Sequence, residues 1–168
     1  HVWTWDFVHD TTVGGGKLRM LNVIDEYTRE CLCIYVARRI NAKKVRQVLT
    51  NLIDQHGAPG YIRSDNGSEF IEGKLQAWLS DNRIKTIYID PGSPWQNGYM
   101  ESFNARLRDE CLDREQLWTL TEARVVLEDW RWTYNHVRPH RSLGYITPLA
   151  FAQQEAGSDC NPPCPPRT

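Results

Sequence analysis

The spacing of apolar residues changes period once along this chain, and that change limits its fold more than any other feature. In "VWTWDFVHD" the residues Trp3, Trp5 and Phe7 alternate with Thr4, Asp6 and Val8. This period of two marks a strand, expected to be buried on its aromatic face. "KLRMLNVIDEY" and "CLCIYVA" continue as strands, joined by the glycine-rich "TTVGGGK" and the polar "TRE". Three strands with such short connections predict an antiparallel meander.

From Asn41 the period lengthens. In "NAKKVRQVLTNLIDQHG" Val45, Val48, Leu49, Leu52, Ile53 and His56 share a helical face, with Asn41 placed to cap the helix and Gly57 to end it. "YIRSD" reads as a short strand. "SEFIEGKLQAWLSDN" reads as a helix with Phe70, Ile71, Leu75, Trp78 and Leu79 inward, weakened by Gly73, and "IKTIYI" as a fifth strand. A helix follows from about residue 95 to about Arg114, then a second in "TEARVVLEDWRWTYNHV" with Thr121 as its cap and Ala123, Val126, Leu127, Trp130 and Tyr134 on one side. A meander followed by strand–helix–strand units predicts an α/β fold. Its five-stranded mixed sheet has order 3-2-1-4-5, with helices on both faces. That order sets the first and fourth strands side by side and brings Asp6 close to Asp65. Residues 1–154 read as one domain and residues 155–168, rich in proline and small polar residues, as a disordered tail.

Composition narrows the class modestly. The net charge is −1, so any surface that contacts phosphates has to be local. Five cysteines, with Cys31 and Cys33 expected on one strand face, suit a reducing compartment better than a disulfide framework. No apolar run reaches membrane-spanning length and no secretory signal is seen, so a cytoplasmic location is expected. The first residue, His1, falls at the start of a strand, as expected for a piece of a longer protein. Trp95, Trp118, Trp130 and Trp132 are expected to pack in the core or between helices.

The segment "PGSPWQNGYMESFNARLRDE" carries two helical faces. Met100, Phe103 and Leu107 are apolar, and Asn97, Glu101, Asn104, Ala105 and Arg108 share another face. Packed on its apolar stripe, such a helix aims Glu101 towards Asp6 and Asp65. Three carboxylates repel one another unless a cation joins them, and oxygen-only ligands of high charge suit Mg²⁺ or Mn²⁺. Asp10, Asp25 and Glu26, near strand ends, read instead as surface charges. A competing metal reading takes His136 and His140 with Cys160 and Cys164 as zinc ligands, with the second pair in the proline-rich tail.

"TWDF", "RSDNGSEF", "SPWQNGYMESFNARLRDE" and "YNHVRPHRSLGYITP", in this order, resemble the integrase-type catalytic core of bacterial insertion-sequence transposases, relatives of retroviral integrases. The 35 residues between Asp65 and Glu101 match that family's hallmark interval. The resemblance implies an RNase H-like fold and a catalytic, metal-binding triad of Asp6, Asp65 and Glu101. It also implies two Mg²⁺ or Mn²⁺ ions in the active complex, and DNA cleavage and strand transfer at transposon ends. It matches Asn97 and Arg108 to positions that contact DNA, and with DNA as partner Trp95 has the alternative of stacking on a base. Its implied partners are transposon-end and target DNA and a second copy of the chain, with an upstream helix-turn-helix in the full-length protein and association with the nucleoid. A nuclease of the same fold that only hydrolyses, and a catalytically silent DNA-binding module, are the alternatives.

Overall fold

The computed structural model describes residues 1–65, 67 and 73–158. Strands β1 (Val2–Thr11), β2 (Lys17–Asp25) and β3 (Cys31–Ala37) form the meander, followed by helix α1 (Ala42–His56) and strand β4 (Tyr61–Ser64). Helix α2 (Gly73–Asp81) and strand β5 (Lys85–Tyr88) complete the sheet, whose order is β3-β2-β1-β4-β5. β1 and β2 pair antiparallel, as do β2 and β3, whereas β4 runs parallel to both β1 and β5. This is the expected topology. A 3₁₀ turn (Pro94–Asn97) leads into helix α3 (Gly98–Leu107), which ends in a π-helical turn (Arg108–Leu112). Helix α4 (Leu120–His136) and helix α5 (Pro148–Ser158) follow.

Both faces of the sheet are covered. Trp3, Trp5, Leu21 and Val23 meet Val45 and Leu49 of α1 and Leu75 and Leu79 of α2. On the other face Leu18, Met20 and Ile24 meet Met100, Phe103 and Leu107 of α3 and Leu127 and Tyr134 of α4. β1 is therefore not buried on its aromatic face alone, since Thr4 and Val8 are buried on the opposite side. That second burial is what lets α3 lie against the strand that carries Asp6.

Local chemistry sets several boundaries. Asn41 caps α1 by accepting from the Lys44 backbone N–H at 2.9 Å, and Gly57 ends it at φ 80°. Thr119, not Thr121, caps α4. Its hydroxyl accepts from the Glu122 N–H at 3.0 Å, while Glu122 reaches back to the Trp118 N–H at 2.8 Å. The spacing of Thr119 and Glu122 carries the signature of a capping box, although Glu122 accepts from the residue before the cap rather than from the cap itself. Cys31 and Cys33 face opposite cores, because a bulge inserts Leu32 between the pairs Val23↔Cys33 and Ile24↔Cys31. Helix α5, which the sequence did not reveal, begins at Pro148 with the Thr147 hydroxyl accepting from the Ala150 N–H, and runs to Ser158, past residue 154. Phe70, Ile71, Asn66, Ser68, Cys160 and Cys164 lie outside the described residues. Among the described residues no helix is long and apolar enough to cross a membrane.

Candidate active site

Asp6 sits in the middle of β1 and is half-buried. β4 runs parallel beside it with Thr4 opposite Arg63. Two residues further along each chain, the same register brings Asp65, the first residue after β4, level with Asp6 on the same sheet face. The exposed Asp65 carboxylate accepts from the Gly67 N–H at 2.9 Å, an Asx turn that carries the chain away from the strand.

Helix α3 is tied to β1 at successive positions along one face. The Thr4 hydroxyl donates to the Asn97 amide oxygen at 2.7 Å, and the Asn104 amide donates to Asp6 Oδ2 at 3.0 Å. The Arg108 guanidinium reaches the His9 carbonyl at 3.3 Å. Asn22 on β2 donates to the Asn104 carbonyl oxygen at 2.9 Å and fixes the orientation of that amide. Glu101, in the first turn of α3 and exposed, lies between Asn97 and Asn104 on this face and is carried towards Asp6 with them. The amphipathic spacing of α3 anticipated this face. It gave no role to Asn104, which holds the Asp6 carboxylate. A polar residue one turn beyond Glu101 was the available signal.

The electrostatics follow from this placement. Burial, opposed by the Phe7 N–H and the Asn104 amide and reinforced by the negative charges of Asp65 and Glu101, pushes the Asp6 carboxyl up to about 6. Asp65 and Glu101 are thus within electrostatic reach of Asp6. Among the described residues, however, no three His, Cys, Asp or Glu side chains are gathered closely enough to hold a metal ion. Three anions at close range repel one another, and a cation among them makes such a cluster favourable. The donor set suits a hard divalent cation: carboxylate oxygens and amide groups, with no thiol or imidazole among the named residues.

Other predicted residues fall into different settings. Asn97 is buried with its amide oxygen taken by Thr4, so its side chain holds α3 in place rather than facing an open surface. The Arg108 side chain is 45% exposed, with Asp10 at 3.9 Å and Asp113 at 3.8 Å as loose partners. Asp25 is no surface charge: it is buried, accepts from the Tyr27 and Thr28 N–H groups and pairs with His1. Glu26 pairs with Arg63 at 2.7 Å. His136 stacks on Trp132 at the surface of α4, whereas His140 is buried against Tyr134, and burial with Arg106, Arg138 and Arg29 nearby pushes it down to about 4. The two histidines therefore occupy different environments. Trp130 packs as expected, but Trp95, Trp118 and Trp132 are 72%, 60% and 51% exposed. Helical spacing locates a residue on a face without saying which faces are covered.

Comparison with known proteins adds kinship to this geometry. An integrase core domain profile matches residues 1–94, and a second integrase core domain profile matches residues 82–148. The chain is 41% identical over 150 residues to an uncharacterised protein of insertion element IS476 from Xanthomonas euvesicatoria, covering 89% of this chain and 43% of that protein. It is 39% identical over 151 residues to an uncharacterised protein of insertion element IS407 from Burkholderia multivorans, covering 90% and 54%. The chain thus spans about half the length of these relatives. It is 28% identical to the transposase for insertion sequence element IS904 of Lactococcus lactis, covering 89% and 60%. Among solved structures, the HTLV-2 integrase catalytic core domain in complex with magnesium superposes with a TM-score of 0.70 at 19% identity, covering 90% of this chain and 95% of that one. The simian T-cell lymphotropic virus intasome superposes at 0.74 with 20% identity, covering 100% and 57%. Those two likenesses establish the RNase H-like fold alone. With one family profile matching more than half of its length, the chain belongs to the integrase core domain family.

Proposed function

We propose that this chain is the catalytic core of an insertion-sequence transposase, and that it cleaves transposon DNA ends and transfers the freed strands with Asp6, Asp65 and Glu101 as metal ligands. The observation that carries this reading is the tether of α3 to β1. The Asn97–Thr4 and Asn104–Asp6 hydrogen bonds bracket Glu101 and set it on the side of the sheet where Asp6 and Asp65 stand level. Kinship with insertion-element proteins, and the magnesium complex of the HTLV-2 integrase core, support the same reading.

When bound, two Mg²⁺ or Mn²⁺ ions would offset the charge of the attacking and leaving oxygens of a phosphoryl transfer. The chain's own residues supply the rest. Asp6, Asp65 and Glu101 present oxygens for the cations, and Asn104 holds the Asp6 carboxylate in one orientation. Asn97 fixes the helix that delivers Glu101, and Arg108 offers a guanidinium to a backbone phosphate. In the first step water attacks the phosphorus at the transposon end. The bond to the 3′ oxygen breaks, leaving a free 3′-hydroxyl and a 5′-phosphate on the flanking strand. In the second step that hydroxyl attacks a target phosphodiester, joins to its phosphorus and releases a 3′-hydroxyl on the target. DNA ends and a second copy of the chain are the proposed partners.

Asp65→Asn tests the assignment. With Mg²⁺ and oligonucleotides bearing transposon ends, the variant is expected to keep its circular dichroism spectrum and lose both cleaved and joined products by at least about a hundredfold. Retained activity overturns the triad. Cleavage without joining in the unaltered chain replaces strand transfer by hydrolysis alone.

A further inference from the structure

At the end of the sheet where Asp65 stands, a second charged feature lies on the face away from α3. Strands β1 and β3 both run antiparallel to β2, so β3 ends at the same end of the sheet as β1 and β4. Helix α1 starts just after β3, and α2 starts on the way from Asp65 to β5, which runs parallel to β4. Both helices therefore begin at that end, and both cover the face that carries Trp3 and Trp5. Between their N-terminal turns is a cleft of about 160 Å³ lined by Ala42, Lys43, Arg46, Lys74 and Leu75. A water molecule takes about 30 Å³, so this space admits a phosphate group.

The positive charge of this cleft is not offset locally. Residues 38–46 hold Arg38, Arg39, Lys43, Lys44 and Arg46, five cations in nine residues with no acid, in a chain whose net charge is −1. Two of the five are engaged elsewhere: the Arg38 guanidinium donates to the Lys17 carbonyl at 2.8 Å, and the Lys44 ammonium to Gln47 Oε1 at 2.7 Å. The side chains of Lys43, Arg46 and Lys74 have no ion-pair partner among the described residues. Neither helix has an acid in its first turn, whereas Lys43 and Lys74 sit there, where the helix dipole disfavours positive charge. Three cations lining one cleft repel one another, and an anion among them relieves that repulsion.

We infer that Lys43, Arg46 and Lys74 together bind one backbone phosphate of the DNA, separate from the phosphate under attack. The Arg46 guanidinium offers a planar fork to two phosphate oxygens, and an ammonium group from each helix adds charge. The inference rests on the DNA-processing reading above and deepens it, since it names where the rest of the polyanion is held. Duplex DNA carries one negative charge per about 1.7 Å of its axis, and Asp6, Asp65 and Glu101 repel it until cations are bound. A cleft of opposite charge at the same end of the sheet offsets that repulsion. Phosphate contacts carry no base sequence, so the cleft positions a duplex without selecting it.

The test measures binding of the chain to a fluorescent DNA duplex of arbitrary sequence, in Ca²⁺ to hold back turnover, between about 50 and 200 mM salt. The combined variant Lys43→Gln, Arg46→Gln, Lys74→Gln is expected to keep its circular dichroism spectrum. It should bind at least about tenfold more weakly at the lowest salt, and its plot of log affinity against log salt should be shallower by about one. Lys85→Gln, at the start of β5 and so at the opposite end of the sheet, is expected to leave that slope as it is. An unchanged slope in the combined variant, a slope shallower by about three (three separate contacts), an equal effect of Lys85→Gln, or no binding by the unaltered chain overturns the inference. Inorganic phosphate, matched in ionic strength by chloride, distinguishes a free anion. If it raises the Tm of the unaltered chain but not of the combined variant, while the DNA slope is the same for both, the cleft serves a free phosphate and the inference also fails. Asp65→Asn separates the cleft from the catalytic reading. If the slope depends on the three cations but Asp65→Asn still cleaves and joins, the triad fails and the cleft stands. If Asp65→Asn is inactive and the slope does not depend on them, the reverse holds.

Discussion

Asp6 shows how a single residue links stability to the proposed chemistry. Its carboxyl is pushed up to about 6, chiefly by burial. A carboxyl raised in the fold binds its proton more tightly there than in the unfolded chain. It therefore adds stability below its ordinary value near 3.8, and that stability is lost as pH rises through about 6. At neutral pH the ionised Asp6 opposes folding, by on the order of 1 kcal/mol after allowance for solvent screening. Asp6→Asn is expected to raise Tm by a few degrees at pH 7.5 and to change it little at pH 4. Differential scanning calorimetry at several pH values should show the gap between the two proteins opening between about pH 4 and 6. Mg²⁺ should raise the Tm of the unaltered chain and leave that of Asp6→Asn unmoved. A variant less stable than the parent at pH 7.5 would show that Asp6 is held by interactions other than those described. The trade between a strained acid and a stable fold is the usual one at a metal-binding site.

At the scale of elements, α3 decides the site. Its stripe of Met100, Phe103 and Leu107 was legible from spacing of three and four, and all three residues are buried. The same spacing put Asn97, Glu101, Asn104 and Arg108 on one face, and this is the face turned to β1. What spacing could not show was that Asn97 is spent on Thr4. Asn97→Ala removes the partner of a buried hydroxyl and should cost about 1–3 kcal/mol in urea unfolding. It should also shrink the Mg²⁺-induced rise in Tm, because α3 would no longer be fixed at its N-terminal end. An unchanged Mg²⁺ response would detach Asn97 from the delivery of Glu101. The caps show a similar division. Asn41 was readable because one candidate preceded the periodic run, whereas the reading of Thr121 as the cap of α4 is corrected by the backbone bond from Glu122 to Thr119.

For the whole molecule, the extent of the folded domain is a separate question from its topology. Helix α5 packs back through Tyr27, whose ring meets Phe151 edge-on and whose hydroxyl donates to Glu155 at 2.6 Å. We expect a chain ended after Ser158 to keep its Tm. One ended after Gln154 loses Glu155 and should melt a degree or two lower, consistent with one exposed hydrogen bond worth about 0.5–1 kcal/mol. Equal melting temperatures for the two would place the boundary at residue 154, as the composition suggested. The sequence alone determined the strand order, the two helical faces of residues 98–107 and the family, because period, chain order and the interval from Asp65 to Glu101 are properties of the linear chain. Only the tertiary structure decided that Asn104 grips Asp6, that Asn97 is buried and that three of the four tryptophans in question stay in solvent. Which faces are covered depends on the elements that pack across them, and local periodicity carries no record of those partners.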